Sequence, residues 1–188
     1  MSKIQLLAFV LPAFAGCLGS APQAPVNWTL TPAVAAVERV KAPKYGMVRL
    51  AQVAVRSPYD GSRLAVLRPG GSLAFDAFNV FAAPPASILK GVACDLASET
   101  GLFARVLPGT SSAAAELSLE VTVRELALDC RKAESRNAAV SVSLLLLRGR
   151  EIVSAAEGAG TAATGDGDYT SAFSSAFASA FAGALKKL

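Results

Sequence analysis

The chain contains no histidine. That absence removes Ser-His-Asp and Cys-His nucleophile pairs, His-bound zinc and imidazole acid–base chemistry together. Charge is scarce as well. Asp, Glu, Lys and Arg make up 17% of the 188 residues against 53% hydrophobic ones, a balance that excludes a disordered polyelectrolyte. The net charge of +4 comes from Lys and Arg that are scattered and form no stripe, so the electrostatic footprint of a nucleic-acid binder is missing. Aspartates at 60, 76, 95 and 129 are dispersed, and no carboxylate pair at hydrolase spacing can be argued from them. Gly165-Asp166-Gly167-Asp168 lacks the downstream Glu and the other ligand positions of a calcium loop, and reads as a turn with Asp168 capping a helix. Pro69-Gly70-Gly71-Ser72 is a turn, since no Gly-Lys-Ser/Thr follows it to cradle a phosphate. No catalytic residue, metal site or cofactor site is therefore expected, and the chain reads as no enzyme.

Long apolar runs are confined to the N-terminus. Lys3 precedes Ile4-Gln5-Leu6-Leu7-Ala8-Phe9-Val10-Leu11, and Pro12 ends the run, as in a secretory signal. The run falls short of the ~20 residues of a spanning helix. Phe14-Ala15-Gly16-Cys17 then resembles a bacterial lipobox, in which the Cys thiol is diacylglycerylated and becomes the mature N-terminus. Ordinary cleavage after Ala13-Phe14-Ala15, leaving Cys17 a free thiol, is the alternative. Two or more acyl chains would hold the mature protein stably on a membrane, at ~0.8 kcal/mol per buried methylene. Leu18, where an Asp would favour the inner membrane of a proteobacterium, favours the outer one. The organisation expected is a signal over 1–16, a lipidated Cys and flexible tether over 17–26, and one domain over 27–188.

Periodicity divides that domain. Val48 and Leu50 share one parity and Val53 and Val55 the other, which predicts a strand with a bulge near Ala51-Gln52. Short strands follow over 63–68 and 73–75. Pro84 and Pro85 open a helix whose Ile88, Leu89, Val92, Ala93, Leu96 and Ala97 share a face, and Gly101 ends it. A strand is expected over 103–107. Leu117, Leu119, Val121 and Val123 alternate with polar residues before the parity flips to Leu126 and Leu128, predicting a second bulge. Residues 138–147 and 151–161 complete a meander around Arg148-Gly149-Arg150. Tyr169, Phe173, Phe177, Phe181 and Leu185 then recur every fourth residue in a final helix, with Ala172, Ala176, Ala180 and Ala184 beside the last four. A membrane-interface helix wants cations along its polar face, and this one carries Ser171, Ser174, Ser175 and Ser179 there, so packing on a sheet is expected. The fold class is α+β: a single domain with an antiparallel-rich mixed sheet and two main helices on one face.

Taken in order, these features resemble the PqiC-like ABC-type transport auxiliary lipoproteins. The lipobox-like Cys17 is followed by Asn27-Trp28-Thr29-Leu30-Thr31, similar to that family's opening strand. Val53 to Asp60 with Leu64 to Arg68 is similar to its strand, Pro-Tyr turn and following strand. Phe75 to Pro84 is similar to its loop into the first helix, with Phe81 where the family often has Trp. Gly101-Leu102-Phe103-Ala104-Arg105-Val106, the strand from Glu116 to Asp129 and the terminal Phe/Ala helix complete the likeness, which covers nearly all of 27–188. The resemblance implies a lipoprotein at the periplasmic face of the outer membrane. It would be a non-catalytic accessory of an Mce-type ABC transport system that moves lipid between envelope membranes. A lipid-binding lipoprotein chaperone, holding an apolar ligand between sheet and helices, is the alternative.

Three further positions matter. An exported domain with Cys94 and Cys130 invites a disulfide. Yet Cys94 falls with Ser87, Lys90 and Ser98 on the helix's polar side, while Cys130 shares parity with the core-facing Leu126 and Leu128. Leu145 and Leu147 fall on the sheet face away from the helices. Either the segment around Trp28 and Leu30 or a bulge covers them, or they form a contact patch for a second copy or for the transporter's periplasmic subunit.

Overall fold

The computed structural model describes residues 24–33, 37–132, 134–165 and 167–188. Cys17 and the signal lie outside the described residues, as do most of the tether and Asp166. The elements run β1 (Val26–Trp28), β2 (Tyr45–Val55), β3 (Arg63–Leu67), β4 (Leu73–Phe81), α1 (Pro85–Glu99), β5 (Phe103–Pro108), β6 (Leu117–Asp129), β7 (Asn137–Arg148), β8 (Glu151–Ala163) and α2 (Tyr169–Leu185).

The eight strands form one open mixed sheet organised by β6. On one edge β6 pairs antiparallel with β7, and β7 with β8, completing the meander. The other edge of β6 is shared. Its first half pairs in parallel with β2, from Val48↔Leu117 to Val55↔Val123, and its last three residues pair in parallel with β3. From there the sheet divides, one arm continuing from β2 to β5 and the other from β3 through β4 to β1. Register shifts fall between Leu50 and Gln52 and between Val123 and Glu125, at both positions where parity flips in the sequence.

One expectation is corrected. Phe75 to Pro84 is not a loop into the first helix but strand as far as Phe81. The Asp76 carboxylate accepts hydrogen bonds from the backbone N–H of Phe78 (2.8 Å) and Asn79 (3.0 Å). This Asx turn shifts the register against β3 and scrambles the alternation, while pairing resumes at Arg63↔Val80 and with β1 at Asn79–Phe81.

Both helices lie against the same sheet face. In α1, with Pro at its first turn, Leu89, Val92, Ala93, Leu96 and Ala97 are buried, and Gly101 turns the chain at φ +65°. In α2 the Asp168 carboxylate accepts from Ser171 N–H at 3.0 Å, the cap the sequence predicts, worth about 1 kcal/mol. Phe173, Phe177 and Phe181 are fully buried, each contributing about 1.5–3 kcal/mol on burial. The alanines let α2 settle onto β8 at backbone distance. A Cβ on Gly158 would lie 1.9 Å from the Ala180 carbonyl oxygen, and one on Gly160 2.2 Å from that of Ala176.

The other side of α2 is covered by the N-terminal segment. Trp28 stacks among Phe81, Phe173 and Tyr169, with ring centroids 4.2, 5.4 and 6.1 Å away. Thr31 N–H donates to Ser174 Oγ at 3.0 Å, burying a serine expected on the polar face. Further on, Lys186 Nζ reaches Glu38 at 2.8 Å and Val40 N–H donates to the Thr100 carbonyl. Residues 28–31 thus meet the first half of α2, and Glu38 meets its C-terminal cap. Covered on both sides, α2 is a core helix. No helix among the described residues is long and apolar enough to cross a membrane.

Candidate functional site

Leu145 and Leu147 alternate with the buried Leu144 and Leu146 and so sit on the sheet face opposite the helices. Their neighbours Leu144 and Leu146 are fully buried beneath α2, while both outward leucines remain half-buried. The Trp28 segment is on the other side of the sheet. A register shift does fall between Leu146 and Leu147, but its extra residue, Val153, belongs to β8, so β7 keeps its alternation and does not turn these leucines inward. Leu147 pairs with Ile152 across the hairpin, and Leu145 with Ala155. Ile152 is 63% exposed and Val153 38%. Sequence reading missed Ile152, although its place across Gly149 from Leu147 was available from hairpin symmetry.

The surroundings of this apolar strip are polar. Glu120 and Ser118 flank it on β6, and Arg148 binds Glu116 at its edge, Nη2 to Oε1 at 2.9 Å. Further along the same face Arg124 pairs with Glu157 beside Ser141, Ser143 and Thr122. Exposed ion pairs of this kind add little stability, about 0–1 kcal/mol each, but they delimit the strip.

A second feature occupies the far end of the meander. There β3, β4, the end of β6 and the first residue of α2 enclose an open groove of about 530 Å³. Val66, Ala74, Phe75, Ala77, Phe78 and Leu128 supply its apolar wall. Phe75 and Phe78 are 43% and 44% exposed. Arg68, Lys132 and Arg136 supply three cations, none of which holds an ion pair among the described residues. Its one carboxylate, Asp76, is occupied by the Asx turn and by Asn79 Nδ2 at 3.0 Å. Burial pushes the Asp76 carboxyl up, but the Asn79 and Phe78 hydrogen bonds and the Arg63 charge outweigh it and hold it below the usual range. Arg131, by contrast, is held by Asp129 through Nε at 2.9 Å and Nη2 at 2.7 Å. Those hydrogen bonds lower the Asp129 carboxyl from 3.8 to about 2. The groove residues come from separated stretches, and no spacing in the sequence announces them.

Cys94 and Cys130 are both free thiols. Cys94 lies half-buried on α1 and Cys130 in the groove just past β6, so the pair considered for a disulfide is not bridged. Burial, and next the Asp95 charge, push the Cys94 thiol up, which leaves it poorly nucleophilic. Among the described residues no three His, Cys, Asp or Glu side chains are grouped to hold a metal.

No family model matches the chain, and no curated protein matches it in sequence. Solved structures do match its fold. A Xanthomonas campestris protein of the DUF330 family superposes with a TM-score of 0.62 at 20% identity, over 85% of this chain and 88% of that one. The crystal structure of an uncharacterized protein gives 0.60 at 14% identity, over 87% and 95%. A looser match, TM-score 0.46 at 17% identity over 81% and 93%, is to PelC from Paraburkholderia phytofirmans, solved as a dodecamer. The fold is therefore that of the DUF330 structure.

Proposed function

We propose that the chain is a lipid-anchored, non-catalytic accessory subunit of an Mce-type ABC transport system, held at the periplasmic face of the outer membrane through Cys17. Its mechanism is positional. The anchor fixes a rigid α+β domain to the membrane, and the domain docks the transporter's periplasmic subunit so that lipid exits near its destination. The observation that carries this reading is the apolar strip of half-buried Leu145 and Leu147 with exposed Ile152 on an otherwise polar sheet face. The PqiC-like order of motifs and the fold shared with a DUF330 protein support it.

Co-purification from solubilised envelopes tests the proposal. The tagged chain is expected to bring down an Mce-type or ABC subunit, and Leu145→Asp with Leu147→Asp to lose it. Capture of neither subunit by the unaltered chain rejects the reading, and capture only of a second copy assigns the strip to self-association. A lipid chaperone would need a continuous cavity between sheet and helices. That space is filled by Phe173, Phe177 and Phe181 and closed by backbone contact at Gly158 and Gly160.

A further inference from the structure

The groove is unlike the rest of the surface. Six large apolar side chains are exposed among the described residues: Val26, Val40, Phe75, Phe78, Ile152 and Val153. Phe75 and Phe78 line the groove, and Val26, 56% exposed, lies on the neighbouring strand, where β1 pairs with β4 at Val26↔Asn79. Arg68, Lys132 and Arg136 stand around the same apolar wall without acid partners among the described residues. Aromatic side chains that can enter the acyl boundary, ringed by cations that can meet phosphates, are the chemistry of a membrane-contact surface.

The course of the chain points to the same occupant. β1 runs parallel to β4, so the chain enters β1 from the side on which Leu73–Phe78 lie. Between Cys17 and Val26 there are few residues, and at ~3.3 Å each they span at most ~30 Å. An acyl chain on Cys17 therefore holds this end of the domain close to the bilayer. Along β6, Leu128 in the groove is ten residues from Ser118, the partner of Leu147. At ~3.3 Å per residue that separates the groove from the apolar strip by ~30 Å.

We propose that the groove end is the face that rests on the membrane, with Val26, Phe75 and Phe78 at the headgroup boundary and Arg68, Lys132 and Arg136 on anionic phospholipid. The proposal rests on the acylation of Cys17 argued above. It turns the Leu145–Leu147–Ile152 strip away from the bilayer, toward the periplasm.

The test uses the mature, envelope-extracted protein in phosphatidylethanolamine–phosphatidylglycerol vesicles whose acyl chains are brominated. Single Phe75→Trp, Phe78→Trp and Ile152→Trp variants report depth, with the emission of buried Trp28 subtracted. The Trp at 75 or 78 is expected to lose about half of its emission or more, and that at 152 to lose none. Adding Arg68→Glu, Lys132→Glu and Arg136→Glu to the Phe78→Trp chain is expected to abolish the extra quenching that phosphatidylglycerol gives over neutral vesicles, with the thermal midpoint unchanged. Intact mass reports acylation separately. A chain without acyl mass overturns the anchor and this orientation with it. An acylated, vesicle-bound chain with unquenched Trp at 75 and 78 overturns the orientation alone, and is the result expected if the groove receives an acidic protein segment instead.

Discussion

Single residues set how closely the two layers approach. Gly158 and Gly160 are spaced to face α2 together, and each replaces a side chain that would strike a helix carbonyl. Gly158→Ala or Gly160→Ala is therefore expected to lower stability by about 3 kcal/mol or more in urea denaturation, through displacement of α2. Gly91 in α1 and Gly183 in α2 meet nothing within 4 Å of an added Cβ. Gly91→Ala and Gly183→Ala are expected to raise stability by about 0.5–1 kcal/mol in the same assay, because only helix propensity changes. A destabilising Gly183→Ala would show that this side of α2 is enclosed and not open. The sequence showed the Phe/Ala period but not its consequence, since the partner glycines lie on a distant strand. The cysteines were legible as a question and not as an answer, because pairing depends on how α1 sits relative to the end of β6. Denatured, unreduced protein is expected to titrate two thiols when Cys17 is acylated, with Cys94 reacting slowly before denaturation.

At the scale of elements, alternation was informative wherever a strand keeps one face in the core. The bulges in β2 and β6 were legible because a buried sheet face makes every parity flip visible. β4 was misread because Asp76 uses its own side chain to satisfy the backbone, which breaks the alternation without ending the strand. The parallel pairing of β2 and β3 along one edge of β6 leaves no local mark at all. β7 offers a sharp contrast between its two faces. Leu144→Asp or Leu146→Asp puts an unpaired carboxylate into the core and is expected to unfold the chain. Leu145→Asp with Leu147→Asp is expected to retain the fold by circular dichroism while losing partner capture; unfolding would make those leucines core residues. Just past β6, the Asp129–Arg131 clasp ties the strand end. Because the folded-state value of Asp129 is depressed from 3.8 to about 2, its contribution is present above pH 4 and is lost as pH falls toward 2. Asp129→Asn is expected to flatten that part of the acid limb in a pH series of thermal midpoints and to leave the neutral region lower than in the unaltered chain.

For the whole molecule, the two surfaces lie at opposite ends of the β6–β7 ladder, and their spacing decides how they couple. A rigid sheet with ~30 Å between groove and strip transmits no local repacking from one to the other, so anchoring and docking should behave as independent terms. The sequence named Leu145 and Leu147 as a candidate contact, but the distance of that strip from the groove follows from the length of β6, which no local pattern states. Independence is open to measurement. Replacing residues 1–17 with an ordinary cleavable secretory leader is expected to give a periplasmic chain without acyl mass, with an unchanged thermal midpoint, that no longer sediments with envelopes. In detergent extract that chain is still expected to capture the transporter subunit, because the strip is intact and far from the missing anchor. Adding Leu145→Asp and Leu147→Asp should then remove capture by the same factor as in the acylated chain. Unequal factors would mean that the anchor orders the docking face, and the domain could no longer be treated as a rigid spacer between membrane and partner.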